Sequence, residues 1–387
     1  MRYWCLTLSD VLVVIMNKDN AEGLRECLDS LTKQSCVICK DFDVLIVDGG
    51  SKDGSEEVAR EFSRRYPCIK FMVQKFRGGV GPARIEAISY ARERGYKLII
   101  WGDSENVYER DYVEKVVNEA LGNSCEVVSG KPMVPSNSVW SKLFFWYHAM
   151  HIIFKVPSFL KVRHAPGNNK CSKVNVYNNV LYPPISRTDD YYFSYLLMKK
   201  DLDGKIRFCL RNDAVVKVKV PKTFSEVLAW QRARVKGLLE GTVVTKSPLP
   251  PDNILWILYA LSLPVAIASL ALGYLQYSLL VLIPLLSALG YISYCLVKYG
   301  HEVTDMRSKL SILTYGLLGT YLYALLTMYY LIRLWPKVIR SKYRLRKRAE
   351  DVLQHFDFKY ELITPIVSDR DVSQRRGLLD LIFRRLL

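Results

Sequence analysis

Val44-Leu45-Ile46-Val47-Asp48-Gly49-Gly50-Ser51-Lys52-Asp53-Gly54-Ser55 is the stretch that decides the fold. Four consecutive branched apolar residues, too few for a helix, read as a strand covered on both faces. The acidic, Gly-rich turn behind them leads into a helical pattern over residues 56–66. Upstream the same unit occurs as an apolar run at 11–15, followed by Leu24, Cys27, Leu28 and Leu31 at helical spacing over 20–31. Downstream, a strand at 69–73 leads through Gly78-Gly79-Val80-Gly81 into a helix over 82–94, and a strand at 97–101 closes on Gly102-Asp103-Ser104-Glu105. This alternation predicts an α/β domain with a mostly parallel, doubly wound sheet. Ligands of such sheets bind at the carboxyl ends of the strands, where Asp48, Asp53, Asp103 and Glu105 fall.

The second part of the chain has a different texture. A further strand is expected at 126–130. Residues 140–162 are aromatic but carry Lys142, His148, His151, Lys155 and Lys161, which predicts an amphipathic helix on the core or at a lipid interface. His148 and His151 share a helical face, and their expected role is structural rather than metal-binding. Residues 166–210 read as short strands and turns around a helix at 190–199, and 223–241 as a helix. Three long apolar blocks follow, at about 254–272, 278–297 and 312–331, each near the ~20 residues needed to span a bilayer. Pro264 and Pro284 lie inside the first two, which membrane helices tolerate. The expected organisation is a cytoplasmic domain at 1–245, a membrane domain at 246–335, and a basic tail at 336–387 whose end, 377–387, has the pattern of a surface-lying helix.

Charge and cysteine content narrow the function classes. The 387 residues include 55 Lys and Arg against 38 Asp and Glu, a formal charge of +17. Such a balance suits an anionic membrane surface or a phosphorylated substrate, and no zinc-finger, RNA-binding or helix-turn-helix spacing points to nucleic acid. The nine cysteines are scattered, and Cys36-Val37-Ile38-Cys39 has no answering pair, so they read as buried or incidental thiols of a reducing compartment. The amino terminus lacks the long apolar stretch and cleavage site of a signal peptide, which predicts a cytoplasmic first domain and a multi-pass cell-membrane protein. The basic tail, with Lys337, Arg340, Lys342, Arg344, Arg346, Lys347 and Arg348, belongs in the cytoplasm by the positive-inside rule. Three crossings would place it outside. Either one block is re-entrant or interfacial, or the rule fails.

Several side chains have chemistry suited to group transfer. Asp103 and Glu105, at alternate positions beyond a strand, can reach one Mg²⁺ or Mn²⁺ bridging a diphosphate. Asp190, in Thr188-Asp189-Asp190, is the candidate general base, and Asp189 beside it is expected to raise its pKa by like-charge repulsion. The same three residues also suit a helix N-terminus. Gln231, Arg232 and Arg234 suit a leaving diphosphate or the acceptor's entry. Lys161, Arg163 and Lys170 surround Pro166-Gly167-Asn168-Asn169 as a second basic, polar loop. Residues 78–81 lack the Gly-Lys-Ser/Thr of a Walker loop and read as a tight turn that positions Arg84.

In order along the chain, the residues of 11–31, Val47 to Ser55, Gly79-Val80-Gly81-Pro82-Ala83-Arg84, Asp103-Ser104-Glu105, Gly167-Asn168-Asn169, Thr188-Asp189-Asp190 and Gln231-Arg232-Ala233-Arg234-Val235 resemble family 2 glycosyltransferases. The resemblance covers roughly the first 240 residues. It implies a GT-A fold, a nucleotide-diphosphate sugar donor, a divalent metal and inverting transfer; the strand-end acids, Asp190 and the three apolar blocks together point to a lipid-linked or glycan acceptor. By position, Asp19, Asp48, Asp53, Arg84 and Asp103 would bind donor, with Asp48 at the nucleobase. Asp103 and Glu105 would hold metal and Asp190 would be the base. Gly167, Asn168, Asn169, Asp189, Gln231, Arg232 and Arg234 would serve acceptor or diphosphate. Asn20 and Gly49 depart from the family's usual acids, and Val235 replaces a Trp. The loss of that Trp speaks against a processive polysaccharide synthase in particular, and the three departures together favour a non-catalytic sugar-nucleotide binder; these are the two alternatives.

Overall fold

The computed structural model describes residues 10–122, 125–155, 164–178, 180–200 and 206–356. The first half runs β1 (Val11–Asn17), α1 (Ala21–Thr32), β2 (Asp43–Asp48), α2 (Ser55–Arg65), β3 (Ile69–Val73), α3 (Val80–Glu93), β4 (Leu98–Asp103), β5 (Val107–Tyr108), α4 (Tyr112–Gly122) and β6 (Val127–Met133). Then come α5 (Val139–Phe144), α6 (Met150–Ile153), β7 (Lys170–Lys173), α7 (Asp189–Lys200), β8 (Phe208–Lys217) and α8 (Phe224–Thr245). The apolar region forms α9 (Pro251–Ala271), α10 (Leu275–Tyr299) and α11 (Lys309–Arg340), and α12 (Lys342–His355) closes the described chain.

The strands form one sheet in the order β3-β2-β1-β4-β7-β6-β8-β5. β3, β2, β1 and β4 are parallel, as the βα alternation requires, while β7 runs antiparallel to both β4 and β6. All seven residues of β1 are buried because helices cover both faces. Val11, Val13 and Ile15 pack with Leu24 and Leu28 of α1, and Leu12 and Val14 pack with Ile85 and Ile88 of α3. Burying each such side chain contributes about 1.5–3 kcal/mol. The register sets Asn17 beside Asp48 and Met16 beside Asp103, so the acids of two loops emerge at one sheet edge.

Three expectations change. Residues 140–155 form two short helices rather than one amphipathic helix, because Phe144, Phe145 and Trp146 are fully buried between the sheet domain and α9 and α11. The cysteines are not all free thiols: Cys39 bonds Cys68 and Cys125 bonds Cys209, with Cα separations of 5.2 and 6.0 Å. Cys36 takes no part in either bond, so the Cys-x-x-Cys spacing is not a redox pair. Finally, α12 folds back onto the α/β domain. Its Val352 and Leu353 join the core beneath α3, and the rings of His355 and Phe356 lie against Phe76. Lys161, Arg163 and the expected helix at 377–387 lie outside the described residues.

α9, the segment from Leu275 to Glu302, and α11 are each long and apolar enough to cross a membrane. α9 and α10 leave Leu258, Ile267, Leu270, Leu280, Ile283 and Leu286 about 60% exposed, an extent of open apolar surface that water does not favour.

Candidate active site

The two loops after β1 and β2 are tied together by their acids. Asp48 is buried, and its two oxygens accept from Gly50 N (2.8 Å), Ser51 N (2.7 Å), Ser51 Oγ (2.6 Å) and Asn17 Nδ2 (2.8 Å). Those four bonds use a carboxylate's acceptor capacity, so Asp48 shapes the loop. Asp19 accepts from Lys52 N at 2.9 Å, and its own N–H donates to Ser51 Oγ at 2.8 Å. Asp53 accepts from Ala21 N (2.7 Å) and from Ser55 N and Oγ, bracing the N-termini of α1 and α2. The Ser55 hydroxyl, with these backbone N–H groups, holds Asp53 below the usual carboxylate range.

At the end of β4, Asp103 sits close enough for its charge to act on Glu105. Burial pushes Glu105 up to about 7, and the Asp103 charge adds to it. Burial also raises Asp103, against the opposing pull of Arg84. Two carboxylates driven toward protonation by burial, with Asp103 repelling Glu105 and Asp190 repelling Asp103, are a fitting donor set for a hard divalent cation. Asn106, fully buried, donates from Nδ2 to the Asn168 carbonyl and so fastens this loop to residues 166–169. Asn169 is a framework residue: Oδ1 accepts from Tyr112 Oη (2.7 Å) and Nδ2 donates to the Gly130 carbonyl (2.8 Å).

Arg84 and the acidic pair meet behind this edge. A Cβ on Gly81 would lie 2.2 Å from the Pro183 carbonyl, and Gly79 (φ 106°) is pressed against Ser186. The glycines thus permit a close approach of α3 to residues 183–186, which sets buried Arg84 2.9 Å from Asp189. The Arg84 guanidinium also lies 4.9 Å from the Trp101 ring and 5.2 Å from that of Tyr182. Its Nε and Nη1 have no hydrogen-bond partner among the described residues, since the approach to Asp189 is poorly aligned. Buried donors left over in this way suit an anionic ligand.

Asp190 begins α7 next to Asp189 but faces different neighbours. Its Oδ2 accepts from Gly167 N at 2.6 Å and lies 3.7 Å from His164 Nε2. Burial alone would raise its carboxyl. The charges of His164, Lys170 and Arg84 and the Gly167 N–H outweigh burial, and Asp190 titrates below the ordinary range. Asp189 goes the other way: burial raises it and Asp190 adds repulsion, with Arg84 opposing. The expected direction at Asp190 is therefore reversed, because cations surround it and the cost of sharing the site falls on its neighbour. Lys170, sealed beside Tyr182 and Phe193, is lowered by burial to about 7. Gly167 fits where nothing larger would: a Cβ there meets Arg84 Nη2 at 2.5 Å and Asp190 Oδ2 at 3.0 Å.

Of the α8 motif, Gln231 and Arg234 are buried and Arg232 is exposed. Gln231 Nε2 and Arg234 Nη2 donate to Thr327 Oγ1 of α11 at 2.7 and 2.9 Å, and Arg234 Nε donates to Gln231 Oε1 at 3.1 Å. The Arg234 backbone carbonyl accepts from Thr188 Oγ1 at 3.0 Å, which holds Thr188 at φ 65°, an uncommon conformation for a β-branched residue. α8 thus fixes the entry to the Asp189–Asp190 helix. Val235 lies in a buried cluster with Leu334 and Val338, facing helices rather than an opening.

Sequence reasoning passed over His164 and Arg187. Arg187 is exposed at the edge, and its charge bears on Asp103 and Glu105. Its position next to Thr188-Asp189-Asp190 was the available signal. The structural reading of the histidine pair agrees with the geometry: His151 Nε2 lies 3.1 Å from Ser129 Oγ, and burial lowers His148 to about 4. Among the described residues, the one group of three or more His, Cys, Asp or Glu side chains close enough to share a metal is Glu119, Cys125 and Cys209, two members of which are bonded to each other.

The mixed α/β sheet thus gathers a carboxylate pair and orphaned arginine donors near its strand ends, with a second acid pair at the start of α7. Residues 10–171 match the model of Glycosyl transferase family 2. Glycosyltransferase AglE of Haloferax volcanii is 29% identical over 124 residues, 32% of this chain and 40% of that protein. A cholesterol galactosyltransferase of Borreliella burgdorferi is 30% identical over 118 residues, 30% of this chain and 31% of that protein. The chain thus spans less than half the length of either relative. Among solved structures, a mannosyltransferase from Pyrobaculum calidifontis in complex with GDP-Man and Mn²⁺ aligns over 87% of this chain and 90% of its own, at 16% identity and a TM-score of 0.49.

Proposed function

We propose that this protein is a membrane-bound inverting glycosyltransferase that moves one sugar from a nucleotide-diphosphate donor to a lipid-linked or glycan acceptor. The observation that carries the reading is Asp190: an ionised carboxylate fixed by Gly167, beside His164, within electrostatic reach of Asp103. In this reading residues 1–245 form the catalytic domain, 246–335 the membrane domain and 336–387 the tail, with the catalytic domain in the cytoplasm. The braced loops of Asp19, Asp48 and Asp53 frame the nucleotide. Asp103 and Glu105 hold Mg²⁺ or Mn²⁺, which when bound would neutralise the donor diphosphate. Arg84 and Arg187 offer fixed positive charge to the leaving diphosphate. As the acceptor hydroxyl oxygen bonds to the anomeric carbon, its proton passes to Asp190 and the bond from that carbon to the diphosphate oxygen breaks.

Asp190→Asn removes the proton acceptor while keeping the side chain's size. Transfer from radiolabelled donor should fall by about 10²–10⁴-fold, with donor binding by calorimetry unchanged. Retained turnover would sink the base assignment. Absence of donor hydrolysis or transfer in the unmodified protein, across a donor panel with Mg²⁺ and Mn²⁺, would favour the non-catalytic binder instead.

A further inference from the structure

We infer that the three apolar helices are not three crossings: α9 and α10 form a hairpin that enters the bilayer and returns to the face it left, and α11 lies in the plane of that same face with its outer stripe in lipid. This rests on the membrane-bound reading above. The hairpin has both feet on the α/β domain. At its start, Asp252 Oδ1 accepts a hydrogen bond from Tyr191 Oη of α7. At its end the chain is bound to the tip of β6, where Val134 N donates to the Val303 carbonyl (2.9 Å) and Ser136 N to Asp305 Oδ1 (2.8 Å). A segment that begins and ends on one soluble domain crosses an even number of times.

α11 is held to that domain near its start, middle and end, while Gly316 and Tyr323 pack on Leu296 of α10 and Trp256 of α9 near the feet of the hairpin. Its buried residues Ile312, Gly316, Gly319, Tyr323, Thr327, Tyr330, Leu334 and Val338 follow one another at three or four positions, a single stripe from end to end. Near its start, Gly319 sits so close to the Leu143 carbonyl that a Cβ could not fit. At mid-length Thr327 binds Gln231 and Arg234, and toward the end Leu334 and Val338 pack with Val235 and Leu238. A helix bound to the outside of a soluble domain over such a length has no free stretch with which to traverse a bilayer. The opposite face presents Leu310, Leu318, Tyr329, Ile332, Trp335 and Ile339 to the outside. Aromatic residues among aliphatic ones, followed by Lys337, Arg340 and the basic α12, match the headgroup layer of an anionic leaflet. α12 is itself fixed to the domain, with Arg346 Nε donating to the Val243 carbonyl at 2.9 Å. Domain, α11 and basic helix therefore share one membrane face, which reconciles the tail with the positive-inside rule.

The test uses the full chain in vesicles of phosphatidylcholine and phosphatidylglycerol. Spin labels at Leu318→Cys and Ile332→Cys, both exposed and fourteen residues apart, should report the same shallow depth. A crossing helix would place them about 20 Å apart in depth, and that result would overturn the inference. Leu310→Cys and Ile339→Cys provide an independent pair should either label disturb packing. A protease-cleavable tag at the carboxyl end should be cut from the same side as an exposed site in α2. Cleavage from opposite sides would overturn the inference while leaving membrane binding intact. Failure to bind vesicles at all would overturn the membrane reading, and this inference with it.

Discussion

Glu105 shows how one residue couples site geometry to conditions. Its carboxyl, raised by burial and by Asp103 to about 7, keeps a proton in the metal-free folded protein at a pH where the unfolded chain has lost it. Between the ordinary value of 4.5 and about 7 the native state therefore binds more protons than the unfolded state, and metal-free stability falls as pH rises through that window. A divalent cation must displace this proton below pH 7, so its affinity should weaken by about tenfold per pH unit there. Titrating Mn²⁺ by thermal shift at pH 8 and pH 6 should show the weaker binding at pH 6, and Glu105→Gln should flatten the difference. Equal binding at both pH values in the unmodified protein would remove Glu105 from the metal site. At the same scale, strand-end acids were readable because a buried parallel strand can only deliver its polar residues at its ends. Whether such an acid faces ligand or loop was not readable, and Asp48 shows why: its hydrogen-bond capacity is spent on Asn17, Gly50 and Ser51. The titration order of Asp189 and Asp190 also depends on His164 and Lys170, which lie ahead of and at the start of β7 in sequence.

At the scale of elements, α8 acts as a strut. Gln231 and Arg234 join it to Thr327 of α11, and the Arg234 carbonyl fixes Thr188 at the start of α7. Thr327→Val keeps the shape and leaves two buried donors unsatisfied, at a cost of about 1–3 kcal/mol. Chemical unfolding should show that loss. A Gln231→Leu/Thr327→Val double-mutant cycle should show coupling of about 0.5–3 kcal/mol; strictly additive effects would mean the strut is not joined at this point. Periodicity found β1 to β4 and α1 to α3, because each has one uniform environment. It did not find α4 or the ten-residue β8, whose pattern is broken by Arg211, Asn212 and Asp213 at a register shift opposite Gly130. It also read 140–162 as one amphipathic helix, although Phe144, Phe145 and Trp146 bury three consecutive side chains, which no single helical face can do.

Across the whole molecule, two covalent ties act at a distance. Cys39–Cys68 closes 29 residues beneath the β2–β3 edge, and Cys125–Cys209 closes 84 between the approaches to β6 and β8. Loops of these lengths stabilise by roughly 3–5 kcal/mol each on the chain-entropy account. Reduction should therefore lower the unfolding midpoint by several degrees, checked by calorimetry with and without dithiothreitol; an unchanged midpoint would show that the bonds do not constrain the unfolded chain. The sequence by itself determined the α/β class, the resemblance of roughly the first 240 residues to family 2 glycosyltransferases, the acids at the strand ends and the three apolar blocks. Each is a local property of pattern or an ordered series of motifs. The disulfide partners, the balance of charge around Asp190, the pinning of α8 to α11 and the return of α12 to the domain were decided only in three dimensions. Each depends on contacts between residues far apart in the chain, and side-chain periodicity carries no information about which distant surfaces meet.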